Sequence, residues 1–285
     1  MEVSGLFVLV HMFDYLVIGH LTADVLEDER IQTGGTALYA ALTAHRLGAR
    51  VAILTAAKPD IDLSMLPSDV EVQLIPSPAT TTFRNRYREN ARTQYMYERA
   101  TPLSREDLQR APAARVVHLG PVAYELPTDG LRLPQWEFVG LTAQGLLRSV
   151  AADKQVLTDP QLLRRLPLDG IHAVALSEED VNFDEEPVIA ITDRVPVVAL
   201  TRAERGATIW WHGEAVDVPA YRAQVVDPTG AGDVFATAFF LALRNGDDPI
   251  AAARYACAAA SCAIEGIGVA TLPTPAVVAA RMERG

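Results

Sequence analysis

Cysteine is scarce in this sequence, basic charge is in deficit, and no hydrophobic run is long. The two cysteines, Cys257 and Cys262, lie five residues apart in one alanine-rich stretch. On a single helix they cannot readily meet the close Cβ geometry of a disulfide. No zinc-type spacing exists either. Both read as small buried hydrophobes, and a reducing cytoplasm is expected. Acidic residues outnumber basic ones, 36 to 25, for a formal net charge of -11. This argues against nucleic acid or an anionic membrane as the main partner. It leaves room for a small anion held by local backbone amides. The apolar run Leu6–Val10 is too short for a membrane span and lacks the basic flank of a signal peptide. Met12 stands directly before a clean strand. Residues 1–11 therefore read as an extension, with Met12 as the natural start and residues 12–285 as a single domain.

Several chemical motifs are missing too. No Gly-x-x-x-x-Gly-Lys-Ser/Thr phosphate loop occurs, and no Gly-x-Gly-x-x-Gly follows the first strand. There is no His-Glu-x-x-His metal motif and no Gly-x-Ser-x-Gly elbow. The segment Gly230–Phe235 is a near miss for a dinucleotide site. It places the Asp233 carboxylate where a pyrophosphate would sit, which disfavours a dehydrogenase.

What is present centres on Val225–Leu243. Asp227-Pro228 ends a short apolar segment, because proline lacks an N–H and restricts the residue before it. Gly230, Ala231 and Gly232 are small enough for close approach to the backbone. An apolar helix follows and stops at Arg244-Asn245-Gly246. A helix starting near Gly230 aims its first N–H groups and the positive end of its dipole into the small-residue turn. That is an anion site. Asp233 sits in the same first turn. An anion hole beside a carboxylate suits phosphoryl transfer, the carboxylate taking a proton from an attacking hydroxyl. The alternative, that Asp233 only favours the dipole and the glycines only make a turn, is equally open from these residues alone.

The rest of the chain has the rhythm of an α/β fold. Strands are expected at Tyr15–Gly19, Val51–Leu54, Val116–Leu119, Phe138–Leu141, Ala173–Leu176, Val197–Leu200 and Ala207–Trp211. Val70–Ile75 alternates. Helices are expected over Thr36–Leu47 after Gly34-Gly35, over Ser104–Arg110, and over an alanine-rich final helix from Pro249 to about Glu265. His20–Asp24 reads as a loop, as do residues 125–137. Residues 80–98 read as a hairpin turning at Glu89–Ala91, polar on both faces and projecting, a candidate lid. An exposed hairpin or an oligomer contact would look the same. Arg84, Arg86, Arg88 and Arg92 are most simply solvated strand residues. Trp136, Trp210 and Trp211 suit packing better than nucleobase stacking.

The run Asp227-Pro-Thr-Gly-Ala-Gly-Asp-Val-Phe-Ala-Thr-Ala-Phe239 resembles the C-terminal signature of the PfkB/ribokinase carbohydrate kinase family. Gly34-Gly35, Asp24, the Thr201–Gly206 turn and the 80–98 hairpin follow in the family's order, from about residue 14 to 275. The resemblance implies a ribokinase-like three-layer α/β/α fold with a mostly parallel central sheet and a small projecting β lid. It implies ATP-dependent phosphorylation of a hydroxyl on a sugar, polyol or nucleoside. Asp233 would be the base, and the Gly230, Ala231 and Gly232 amides the anion hole. Asp24, Gly34 and Gly35 would hold the acceptor, while Thr201, Gly206, Thr229, Gly230 and Gly232 would contact the nucleotide. Mg²⁺ would bridge the phosphates, with Asp180 organising a metal-bound water and a monovalent cation as an optional activator. A monomer or a homodimer is expected.

Three positions depart from the pattern. Ser177 stands where the family often has Asn, Tyr39 replaces an Asn of ribokinases and argues against ribose, and Ala203 replaces a frequent glycine. Gly140-Leu-Thr-Ala-Gln-Gly-Leu-Leu-Arg148 resembles a segment of inositol-kinase-like members. Gln144 and Arg148 could bond hydroxyls or a phosphate, which leans the acceptor toward a cyclitol such as myo-inositol. That both are plain surface residues stays open. A nucleoside kinase is the alternative within the family. A regulatory binder that lost turnover is the alternative outside enzymes, motivated by Ser177.

Overall fold

The structure is a computed structural model describing residues 12–88, 91–127, 133 and 136–285. The expected extension over 1–11 and the hairpin turn at 89–90 lie outside these, as do the side chains of Arg88 and Arg92 and part of the 125–137 loop. The chain opens with β1 (Phe13–Ile18), β2 (Thr22–Val25), β3 (Ile31–Gly34), α1 (Thr36–Arg46) and β4 (Val51–Ala57). Then come β5 (Glu71–Pro76), β6 (Thr81–Arg88), β7 (Ala91–Glu98), α2 (Arg105–Gln109), β8 (Ala114–Leu119) and β9 (Phe138–Thr142). A short hairpin of β10 (Arg148–Val150) and β11 (Val156–Thr158) precedes β12 (Ala173–Ser177), α3 (Glu186–Ile189) and β13 (Val197–Thr201). β14 (Ala207–Trp211), β15 (Glu214–Val218), α4 (Ala231–Asn245), α5 (Pro249–Ala263) and α6 (Pro275–Arg284) complete it.

The large sheet runs β15-β14-β13-β12-β9-β8-β1-β4-β5. Strands from β5 to β13 are mutually parallel, and β14 and β15 close the far edge antiparallel. The apolar strands bury both faces, as a parallel sheet requires. Tyr15 and Val17 join the core under α1, α4 and α5, while Leu16 and Ile18 join the opposite core. That second side is covered by α2, α3 and a 3₁₀ turn at Pro160–Arg165, so the outer layer is thin there. Trp136 packs into it fully buried, and Cys257 and Cys262 are buried on α5. Burial pushes the Cys257 thiol up to about 12, leaving it protonated and inert. Among the described residues no helix is long and apolar enough to cross a membrane.

Four strands form the separate small sheet, β3-β2-β6-β7. The expected hairpin supplies β6 and β7, paired antiparallel from Thr82↔Glu98 to Arg88↔Ala91. The expected loop at 20–24 and the polar stretch to Thr33 are corrected to β2 and β3. These strands carry no alternation of their own and exist because β2 pairs with β6 and β3 with β2. Arg84 pairs with Glu29 on the β2–β3 turn, and Arg86 stacks over Tyr95 at 5.1 Å. Two further elements went unanticipated. β15 pairs along β14, and α6 follows the alanine-rich helix that was expected to be last.

From β1 the chain moves outward through β4 and β5, then returns to β8 on the other side of β1. Such a reversal opens a crevice outside the carboxyl ends of the two strands. Gly19 and Gly120 sit there, so close that a Cβ on Gly19 would lie 2.2 Å from the Gly120 carbonyl oxygen. The fully buried Glu125 ties these loops together. Its carboxylate accepts from the amides of His20 (3.0 Å), Val122 (2.9 Å) and Ala123 (2.7 Å). A buried charge is tolerated because these donors satisfy it. Glu125→Gln sets an NH₂ against amide donors and should cost roughly 2–4 kcal/mol of unfolding free energy. Urea denaturation checks this, and a loss below about 0.5 kcal/mol would rank Glu125 with ordinary surface residues.

Candidate active site

The site is built at the N-terminus of α4. Asp227 folds the entry loop: its Oδ1 accepts from the Thr229 amide and its Oδ2 from the Gly268 amide, both at 2.9 Å. Burial pushes this carboxyl up, but the bonds from Thr229 and Gly268 outweigh it and hold it below the usual range. The Val226 and Asp227 amides donate to the Ile264 carbonyl at the end of α5, so the loop is braced on both sides. Gly230 caps α4 with φ 78° and packs on Tyr39, and a Cβ there would lie 2.2 Å from the ring's Cδ1. The Gly232 position is open, and a Cβ added there would meet nothing within 4 Å. Of the three amides expected to form the anion hole, that of Ala231 also donates to the Pro228 carbonyl at 3.2 Å.

Asp233 follows in the first turn, partly buried. Its carboxyl is pushed up to about 6, chiefly by burial, and the Asp180 charge adds to the rise. The Thr36 hydroxyl and the Arg148 guanidinium pull the other way. Asp233 therefore has neighbours on three separate segments: the first turn of α1, the start of β10, and the turn after β12. Tyr39, on α1, is raised above the ordinary phenol range by burial and by Asp227, Asp233 and Asp24. The residue read from sequence only as a departure thus stands among the acidic groups of the site.

On the small-sheet side, Asp24 Oδ1 accepts from the Thr22 hydroxyl at 3.0 Å. A Cβ on Gly34 would fall 2.2 Å from Asp24 Oδ2, so only glycine lets that carboxylate lie against β3. Gly35 caps α1 at φ 88°, and its Cβ would meet Thr22 and the His20 carbonyl at 2.9 and 3.0 Å. Thr36, the next residue, abuts Gly120. Two glycine-capped helix N-termini therefore converge at the sheet's crevice.

Asp180 is held from three directions. Its Oδ2 accepts from the Ser177 amide and hydroxyl, both at 2.8 Å, and its Oδ1 from Gln144 Nε2 at 2.9 Å. Ser177 and Asp180 form a reciprocal capping box. The serine that departs from the family pattern has a positioning role of its own. Among the described residues no cluster of three or more His, Cys, Asp or Glu could cage a metal ion. A carboxylate accepts about four bonds, so Asp180 keeps capacity for one water. That fits Mg²⁺, which is held mainly by waters and substrate phosphates with one or two carboxylates.

Thr201 and Gly206 stand apart, at the carboxyl end of β13. Thr201 Oγ1 donates to the Leu176 carbonyl at 3.4 Å, and the turn closes through Arg202 N to Gly206 O at 2.7 Å. Ala203, in the place of a frequent family glycine, takes the left-handed φ of 49° in this turn. Arg202 pairs with Glu185 at 2.8 Å and Glu178 at 3.7 Å, and Arg205 also meets Glu178. Sequence reasoning missed this ion cluster, together with Thr36 and a buried chain under Asp233. In that chain the Tyr15 hydroxyl bonds His118 Nδ1 at 2.8 Å, and His118 Nε2 bonds the Thr142 hydroxyl at 3.0 Å. Burial takes His118 down to about 3, so it stays neutral. Tyr15 also lies near Thr237 and feels the Asp233 charge, both on α4. Polar residues on inward strand positions read as satisfied core from sequence alone.

Residues 173–276 match the family model described as pfkB family carbohydrate kinase. The bifunctional protein HldE of Mesorhizobium japonicum is 30% identical over 146 residues, which are 47% of this chain and 29% of that protein. Inositol 3-kinase of Zea mays is 28% identical over 214 residues, 70% of this chain and 54% of that protein. Several of the curated relatives are matched over no more than about a third of their own length. A solved pyrophosphate-dependent kinase in the ribokinase family, complexed with a pyrophosphate analog and myo-inositol, superposes with a TM-score of 0.75 at 22% identity. That likeness covers 89% of this chain and 96% of the other, and shows a shared fold.

Proposed function

From a chain that has the ribokinase fold and resembles the pfkB carbohydrate kinases over residues 173–276, we propose an ATP-dependent kinase acting on a hydroxyl of a sugar or polyol. A cyclitol is the leading acceptor, on the resemblance of the Gly140–Arg148 segment. The observation that carries the reading is Asp233: a carboxyl raised to about 6, in the first turn of a glycine-capped helix. A base with a pKa just below neutral is ionised at pH 7 yet basic enough to draw a proton from a hydroxyl as the bond to phosphorus forms. The amides at 230–232 and the α4 dipole bind the transferring phosphoryl group. Asp24, with Gly34 giving it room, orients acceptor hydroxyls together with Gly35 at the start of α1. Thr229, Thr201 and Gly206 lie on the donor side. Mg²⁺ neutralises the donor's phosphate charge when bound, and Asp180 would hold one of its waters.

Acceptor-dependent release of ADP from MgATP tests the proposal across inositols, pentoses, hexoses, their phosphates and nucleosides. A parallel arm with magnesium pyrophosphate follows the donor named for the structural neighbour. At least one polyol or sugar should stimulate ADP release well above the acceptor-free rate. Binding of nucleotide or sugar with no product from any pair would favour the regulatory alternative.

A further inference from the structure

Beside Arg148 lies a cavity of about 400 Å³ that is poorly suited to a neutral polyol. Its walls are largely apolar, from Phe83 and Met96 of the small sheet to Val122 and Leu162 of the body. Among the described residues its charged lining comes from Arg99 and Arg148, and no carboxylate lines it. Arg99 Nη2 donates to the Tyr124 carbonyl at 2.8 Å, and Arg148 Nη1 to the Val122 carbonyl at 3.0 Å. The Arg148 guanidinium also lies 5.8 Å from the centre of the Phe83 ring. Backbone carbonyls thus tether both cations at the cavity wall. Val122 on the cavity wall is joined through Glu125 to the His20 amide, and the His20 carbonyl lies against Gly35 at the start of α1, so the cavity adjoins the site on the small-sheet side.

The chemistry of this lining selects a class of acceptor. Hydroxyls of a neutral polyol would find few partners on Phe, Met, Val and Leu walls, and stripping them of water would cost binding. A phosphate or carboxylate would take charge-assisted, forked bonds from guanidinium groups. The protein as a whole carries a net charge of -11, which repels anions, so a cationic pocket is a local exception to the overall field. We propose that the acceptor is an anionic polyol, whose phosphate or carboxylate sits in this cavity on Arg99 and Arg148 while its hydroxyl reaches Asp233. This rests on the kinase reading and narrows it.

Calorimetric titration of matched acceptors tests the idea without requiring turnover. The probes are myo-inositol with an inositol monophosphate, and a hexose with its 6-phosphate and its uronic acid. In at least one set an anionic member should bind about 10–100-fold tighter than its neutral partner. That advantage should shrink as salt rises. The phosphate and uronate arms tell the two anions apart. In Arg99→Gln the advantage should fall about tenfold or more while neutral binding stays the same. Equal or tighter binding of the neutral member in every set overturns the proposal. So does an anionic preference that Arg99→Gln leaves intact, or no binding by any probe. ADP release from neutral polyols alone would overturn it and leave the kinase reading standing. Selective anion binding without ADP release would do the reverse.

Discussion

Asp233→Asn should lower acceptor-dependent turnover by roughly 10²–10⁴-fold, the usual contribution of a general base, and should stabilise the fold at pH 8. The two effects have one cause. Folding raises the Asp233 pKa to about 6, so the folded state holds this proton more tightly than the unfolded chain does. Its contribution to stability is fully present below the unfolded pKa. It is lost as pH rises through about 6, where the carboxylate ionises against burial and the Asp180 charge. Asparagine removes that cost. Each tenfold change in proton affinity corresponds to about 1.4 kcal/mol, so the gain at pH 8 should be roughly 1–3 kcal/mol. It should shrink toward zero near pH 4. Urea unfolding of both proteins at the two pH values measures it. A variant that loses activity and is also less stable at pH 8 would mark Asp233 as a structural residue.

Gly230→Ala should be the second most damaging change. The residue holds a left-handed φ of 78°, and an added Cβ would fall 2.2 Å from Cδ1 of Tyr39. Either the backbone or the ring must move. Moving the backbone turns the first amides of α4 away from the anion site proposed for them, and loss of one such donor costs about 10²–10³-fold in turnover. Strain of this kind also costs about 1–3 kcal/mol of stability. A double-mutant cycle with Tyr39→Ala separates the two causes, since Tyr39 is itself buried and its loss has a cost of its own. With the ring gone the clash is relieved and the φ strain stays, so Gly230→Ala should cost less stability in the Tyr39→Ala background than in the wild type. An equal cost in both backgrounds would place the whole defect in the backbone.

The parallel half of the fold was legible because buried strands are nearly continuous apolar runs, as in Val51–Ala57 and Ala173–Leu176, separated by helices with clear ends. The start of α4 was legible for a different reason: Gly230, Gly232 and Asp233 stand together in sequence and lie together at the helix N-terminus. β2 and β3 were not, since Ala23, Asp24 and Gln32 become strand residues only through pairing with β6 and with each other. Glu125 and His118 lie in or beside apolar strands and loops where a polar residue reveals nothing of its partners. Those partners are far away in the chain, His20 for the one and Tyr15 for the other. The contact of Gln144 with Asp180 spans 36 residues and three strands. Sequence suggested both as ligand-side residues, yet not that each positions the other. Thr36 was hidden by its neighbours, because the glycine pair before it draws attention to the turn and away from the first helical hydroxyl.

The central claim is that Asp233 takes the proton of the acceptor hydroxyl. The pH dependence of kcat/KM for the acceptor, from about pH 4.5 to 8, tests it most directly, because the acid limb reports the free enzyme's essential base. With the best acceptor, kcat/KM should rise with pH through an apparent pKa near 6, set by the burial of Asp233. In Asp233→Asn the residual rate should lose that limb. A limb near 6 that persists unchanged in the variant, or a variant as fast as the wild type at pH 7, would contradict the assignment.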